Sequence, residues 1–142
     1  MSNLPRPVSL VHSIRSSPVK NNMVMIVDDQ STGRVILAEI VRSIDKFVDV
    51  VTFEDPEAAL DYARRHVVDM VITDYQMPRM NGIELVRELR RVFHDDSVPI
   101  VMITVDKQPE VRYQALNHGA IDFLTRPIDR IEYRQRFMNL LA

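Results

Sequence analysis

Residues 73–82 read T-D-Y-Q-M-P-R-M-N-G. The apolar run that leads into them ends in Asp74, and a turn rich in proline, asparagine and glycine follows. Beyond it Ile83, Val86, Leu89 and Arg90 recur at helical spacing. A short apolar run closed by turn residues and followed by a helical period reads as a buried strand feeding a helix. The same grammar appears at residues 23–29, where M-V-M-I-V closes in Asp28 and Asp29 before a helical stretch begins.

Working outward, strand and helix alternate with short connections. Residues 31–45 put Val35, Ile36, Ile40, Val41 and Ile44 on one expected helical stripe, with Ser31 and Thr32 as natural helix-start residues. Residues 47–53 are β-branched and aromatic, and residues 55–66 form a helix with Asp55 as N-cap and Pro56 at the first position. Strands follow at 69–74, 98–105 and 120–125, and helices at 82–93, 107–118 and 129–142. Gly119 sits where a helix ends in left-handed geometry. Five β–α units in strict alternation predict an α/β fold with a parallel sheet covered on both faces.

The first, third and fourth strands are the most continuously apolar, whereas the second carries Asp49 and the fifth Asp122. Edge strands tolerate such charges, so with right-handed crossovers the order is 2-1-3-4-5, that of the flavodoxin-like three-layer (βα)5 class. In such sheets function lies outside the carboxyl ends of the strands. Those ends carry Asp28 and Asp29, Asp74, Thr104, and Thr125 with Arg126.

The chain has 142 residues, enough for one domain with a core, and no apolar run approaches a bilayer span. Residues 1–21 contain Pro5, Pro7, Pro18 and five serines and read as a tail, leaving a domain over 22–142. The absence of cysteine removes thiolate chemistry and fits a reducing, cytoplasmic setting. All 20 acids lie after residue 21, which argues against a nucleic-acid partner. Only three glycines are present, none clustered to cradle a nucleotide phosphate. His12, His66, His94 and His118 lack metal-ligand spacing and read as surface or helix-end residues, Asp55 and Asp69 as turn or cap residues, and Met23, Met25, Met70 and Met102 as core.

Three crowded carboxylates repel one another unless a cation sits among them, and a hard divalent ion with oxygen ligands, Mg2+ or Mn2+, suits that set. A carboxylate beside such an ion, with the Thr104 hydroxyl and Arg126 close by, is equipped to accept a phosphoryl group.

The segments I-V-D-D-Q-S-T-G-R at 26–34, T-D-Y-Q-M-P-R-M-N-G at 73–82, M-I-T-V-D at 102–106 and F-L-T-R-P at 123–127 together resemble the receiver domain of two-component response regulators. That resemblance implies Asp74 as phospho-acceptor, with Asp29, Asp74 and the Gln76 backbone carbonyl as metal ligands and Asp28 acting through a bound water. It implies Thr104 and Phe123 as the switch pair and a cis bond between Arg126 and Pro127. It further implies a sensor histidine kinase as donor, and a surface of fourth helix, fifth strand and fifth helix that signals or pairs two copies. On this reading the chain is no enzyme beyond transfer to its own aspartate.

Two positions depart from the family. Arg126 stands where lysine is usual, so a phosphorylation-independent interaction module is the alternative. Val105 stands where a small residue is usual and, with Gln76 and Asp106, flanks the phosphoryl entrance. A phosphatase with an aspartyl-phosphate intermediate would want an acid at position 76, where the chain has glutamine. The last helix places Ile128, Ile131, Met138 and Leu141 at near-heptad spacing, as a sheet-packing or dimer face. Its E-Y-R-Q-R-F-M-N-L-L ending resembles receivers that precede cyclic di-GMP phosphodiesterase or other output domains.

Overall fold

The computed structural model describes residues 21–94, 97–105 and 107–141. The expected tail, apart from Asn21, therefore lies outside the described residues, as do His12 and Asp106. Five strands, β1 (Asn22–Val27), β2 (Val48–Phe53), β3 (Met70–Asp74), β4 (Ile100–Thr104) and β5 (Asp122–Thr125), alternate with five helices. These are α1 (Ser31–Arg42), α2 (Pro56–Arg65), α3 (Gly82–Val92), α4 (Pro109–Asn117) and α5 (Arg130–Leu141). All pairings are parallel and the strand order is 2-1-3-4-5, as expected.

Every residue of β3 and β4 is buried, which is why those segments carry no alternation of polar and apolar residues. Successive side chains still point to opposite faces. Met25, Val27, Val71, Ile100 and Met102 meet α2, α3 and α4 on one side. Val24, Ile26, Met70, Ile72, Val101, Ile103 and Leu124 meet α1 and α5 on the other. The edge strands keep their charges at the margin: Asp49 is exposed, and Asp122 is half-buried with Arg136 Nη1 at 2.6 Å.

Helix α2 begins as its sequence implies, with the Asp55 side chain accepting from the Glu57 amide at 3.0 Å and Pro56 in the first turn. Asp69 accepts from the Met23 amide at 2.7 Å, so its role is structural, but it ties two strands together and caps nothing. Gly119 follows α4 with a φ of 117°, and Arg90 donates to its carbonyl from Nε at 3.1 Å and Nη2 at 2.7 Å.

Three local expectations are corrected. Helix α1 is capped at Gln30, whose own amide is turned back to Asp28, so Ser31 is the first helical residue and no side chain caps it. Val35 is 57% exposed; at 100° per residue it lies about 160° round from Leu37, and the buried stripe runs through Gly33, Leu37, Ala38, Ile40 and Val41. In α5 the sheet is gripped by Tyr133 and Phe137, one turn apart and fully buried, whereas Ile131 is 85% exposed. Of the heptad residues, Ile128 and Leu141 pack partly buried against the same core, so the sheet-packing stripe is corrected at Ile131 and completed by the aromatic pair, which carries the larger apolar area.

Candidate functional site

The register of the sheet brings the predicted residues to one rim. Val27 lies opposite Thr73, Asp74 opposite Ile103, and Thr104 opposite Thr125. Asp28, Asp74, Thr104 and Arg126 therefore leave the sheet at nearly the same level. Asp28, Asp29 and Asp74 each offer an oxygen within 4.8 Å of the others, the one such acidic cluster among the described residues.

Burial differs sharply within this cluster. Asp28 is fully buried, Asp74 is 8% exposed, and Asp29 faces an open cleft of about 520 Å3 that it lines with Tyr75, Gln76, Met77, Pro78 and Asn81. Arg126 supplies the cation: its Nη2 lies 2.8 Å from Asp28 Oδ2 and 3.8 Å from Asp74 Oδ1. Even so, burial, and after it the charge of Asp28, push the Asp74 carboxyl up to about 6, against the pull of Arg126 and the Tyr75 amide. One guanidinium thus leaves the cluster short of positive charge. The donors are hard oxygens, and the Gln76 loop borders the same cleft as Asp29, so the residues present fit a divalent ion of the Mg2+ type.

The loop after β3 is held tightly. The Tyr75 amide donates to Asp74 Oδ1 at 3.0 Å, and the Thr73 hydroxyl donates to the Asp74 carbonyl at 2.9 Å. Gly82 donates to the Tyr75 carbonyl at 2.7 Å, and a β-carbon there would come 2.5 Å from the Asp74 carbonyl oxygen. Arg79 turns the chain with φ 69°, and Asn81 and Glu84 form a reciprocal capping box at the start of α3.

Thr104 is fully buried, and its carbonyl accepts from the Arg126 amide at 2.9 Å. The bond from Arg126 to Pro127 is cis, as expected. Val105 is 56% exposed beside Thr104. Phe123 is half-buried and faces a cleft of about 710 Å3 between α4, β5 and α5, shared with Tyr113, Leu116, Arg112, Glu132 and Arg136. His66, His94 and His118 are all exposed.

Sequence reasoning missed two supports of the rim. Arg34 Nη1 donates to the Asp28 carbonyl at 2.8 Å, and the Tyr133 hydroxyl donates to the Thr125 carbonyl at 2.5 Å, one residue before Arg126. Arg34 lies inside the quoted 26–34 segment and was visible as a charge near an acid pair. Tyr133 gave no such signal.

Residues 24–138 match the model of the response regulator receiver domain. The cyclic di-GMP phosphodiesterase response regulator RpfG of Xanthomonas campestris is 40% identical over 118 residues, 83% of this chain and 31% of its own length. A protein-glutamate methylesterase/protein-glutamine glutaminase of Enterobacter cloacae is 36% identical over 106 residues, 73% of this chain and 29% of its own length. The chain thus spans about a third of these relatives. Among solved structures, the Vibrio cholerae chemotaxis protein CheY4 superposes with a TM-score of 0.78 at 26% identity, covering 85% of this chain and 99% of its own. With the family match running from the first strand into the last helix, the chain belongs to the response regulator receiver domain family.

Proposed function

We propose that the domain, taken as residues 22–142 behind a tail of 1–21, is a phosphorylation switch that accepts a phosphoryl group on Asp74 from a phosphohistidine of a sensor histidine kinase. The observation that carries this reading is the convergence of Asp28, Asp29 and Asp74 within 4.8 Å, on a rim that also holds Thr104 and Arg126. A carboxylate oxygen of Asp74 attacks phosphorus, an O–P bond forms as the N–P bond breaks, and the electron pair stays on the departing imidazole nitrogen.

Asp29, Asp74 and the Gln76 carbonyl would hold Mg2+ or Mn2+, with Asp28 beside them. When bound, the ion neutralises charge on the transferring phosphoryl oxygens. Arg126 draws the same oxygens from the other side, and the Thr104 hydroxyl donates to one of them. Movement of Thr104 makes room for Phe123 to turn inward, which reshapes the cleft between α4, β5 and α5. That face passes the signal on or pairs two copies.

The similarity to RpfG makes cyclic di-GMP phosphodiesterase the class of output we favour, in a cytoplasmic setting. Among the described residues no helix is long and apolar enough to cross a membrane. The domain itself catalyses only transfer to its own Asp74.

Incubation with Mg2+ and acetyl phosphate followed by intact-mass measurement tests the reading. One phosphoryl adduct is expected in the native chain and none in Asp74→Asn. A second reading, a phosphorylation-independent interaction module, is favoured by the close pairing of Arg126 with Asp28, and an unmodified native chain would select it.

A further inference from the structure

Asp28 is the most enclosed acid of the rim, and both of its carboxylate oxygens are committed. Oδ1 accepts from the Gln30 amide at 2.9 Å and Oδ2 from Arg126 Nη2 at 2.8 Å. Oδ2 lies against the first turn of α1, in a space that exists because residue 33 has no side chain. A β-carbon on Gly33 would stand 2.1 Å from Asp28 Oδ2, 3.0 Å from its Cγ and 3.5 Å from Arg126 Nη2. No carbon and oxygen pack at the first of these distances, so any other residue would push the carboxylate away from the helix and out of line with Arg126.

Glycine inside a helix costs stability relative to alanine, and Gly33 is buried in the first turn, where no left-handed backbone calls for it. What it gives in return is the seat for Asp28. Arginine is the matching cation: its planar fork places one nitrogen, Nη2, 2.8 Å from Asp28 Oδ2 and 3.8 Å from Asp74 Oδ1, and it is more weakly hydrated than an ammonium group.

We propose that Gly33 is a positioning residue that turns Asp28 toward Arg126, so that the rim keeps a resident guanidinium which a divalent ion must displace before it gains Asp28. This rests on the reading of the rim as a divalent-cation and phosphoryl site. The affinity of the site for Mg2+ is then set by a residue that never touches the ion.

Isothermal titration of the chain with Mg2+ tests the idea in the native sequence, Gly33→Ala, Arg126→Lys and the double variant. Lysine keeps the charge and withdraws the fork, so Arg126→Lys isolates geometry from net charge. Its Kd for Mg2+ is expected to fall by about tenfold, the worth of one charge-assisted hydrogen bond. Gly33→Ala is expected to shift Kd the same way, and the double variant to show no further gain, because both changes break one pairing.

An unchanged Kd in Arg126→Lys overturns the proposal, as does an unchanged or higher Kd in folded Gly33→Ala, or additive gains in the double variant. Should Gly33→Ala alone fail to fold, the double variant decides. With the fork gone Asp28 is free to turn, so the double variant is expected to fold and to bind Mg2+ like Arg126→Lys; an unfolded double variant overturns the role of Gly33. Mg2+ binding in none of the four overturns the metal reading of the rim itself, whereas equal binding in all four overturns only the displacement.

Discussion

The Tyr133 hydroxyl, on a side chain fully buried against the sheet, donates to the Thr125 carbonyl at 2.5 Å and so ties α5 to the segment that presents Arg126. Burial pushes the phenol up to about 12, which keeps it a donor across the whole working range of pH.

Tyr133→Phe keeps the ring and removes the donor. It should cost about 1 kcal/mol in urea unfolding, the usual worth of one such bond, and slow labelling of Asp74 by acetyl phosphate as Arg126 loses its support. Equal stability and equal labelling in the two proteins would show that the bond holds nothing in place.

Asp74 gives a pH signature. Its carboxyl titrates near 6 in the fold against 3.8 when free. Between those values the folded chain keeps a proton that the unfolded chain has lost, so stability falls as pH rises through that window and is level above it. The loss in metal-free buffer amounts to about 3 kcal/mol at most. Asp74→Asn lacks the titration, so the stability gap between variant and native chain should widen from about pH 4 to about pH 7.5 in urea unfolding. A constant gap would contradict the burial-driven shift.

Gly82 is expected to be the least replaceable residue of the phosphoryl loop. A methyl group there would meet the Asp74 carbonyl oxygen at 2.5 Å and the Tyr75 Cα at 2.9 Å, both backbone atoms with no room to yield. Gly82→Ala should lose about 1–3 kcal/mol of stability, measured as a lower midpoint in thermal or urea unfolding.

Val105 stands exposed beside the buried Thr104. Val105→Ala should speed both acetyl phosphate labelling and loss of the phosphoryl group, since donor and water use the same approach. A decay rate that does not change would remove Val105 from the account.

The fold was largely legible because the alternation of apolar runs and helical periods is strict, and because Asp49 and Asp122 mark the margins of the sheet. The acids of the rim were legible for the same reason: each closes a strand. The faces of α1 and α5 were less so. Val35 is as apolar as its buried neighbours, and only its angle round the helix puts it outside; Tyr133 and Phe137 hide in a stretch where isolated aliphatic residues suggest another stripe. Gly33 was unreadable in a different way. A glycine in a helical segment looks like a propensity defect until the contact it permits, with an acid five positions earlier and a guanidinium 93 positions later, is seen in space.

The two packed sides of the sheet have no side chain in common: α2, α3 and α4 rest on one set of residues, α1 and α5 on another. A change confined to one side reaches the other through the strand backbones, or at the β5 edge of the sheet, where α4 and α5 line one cleft. That cleft is accordingly where the two sides of the domain meet, with Arg112 and Tyr113 from one and Glu132 and Arg136 from the other.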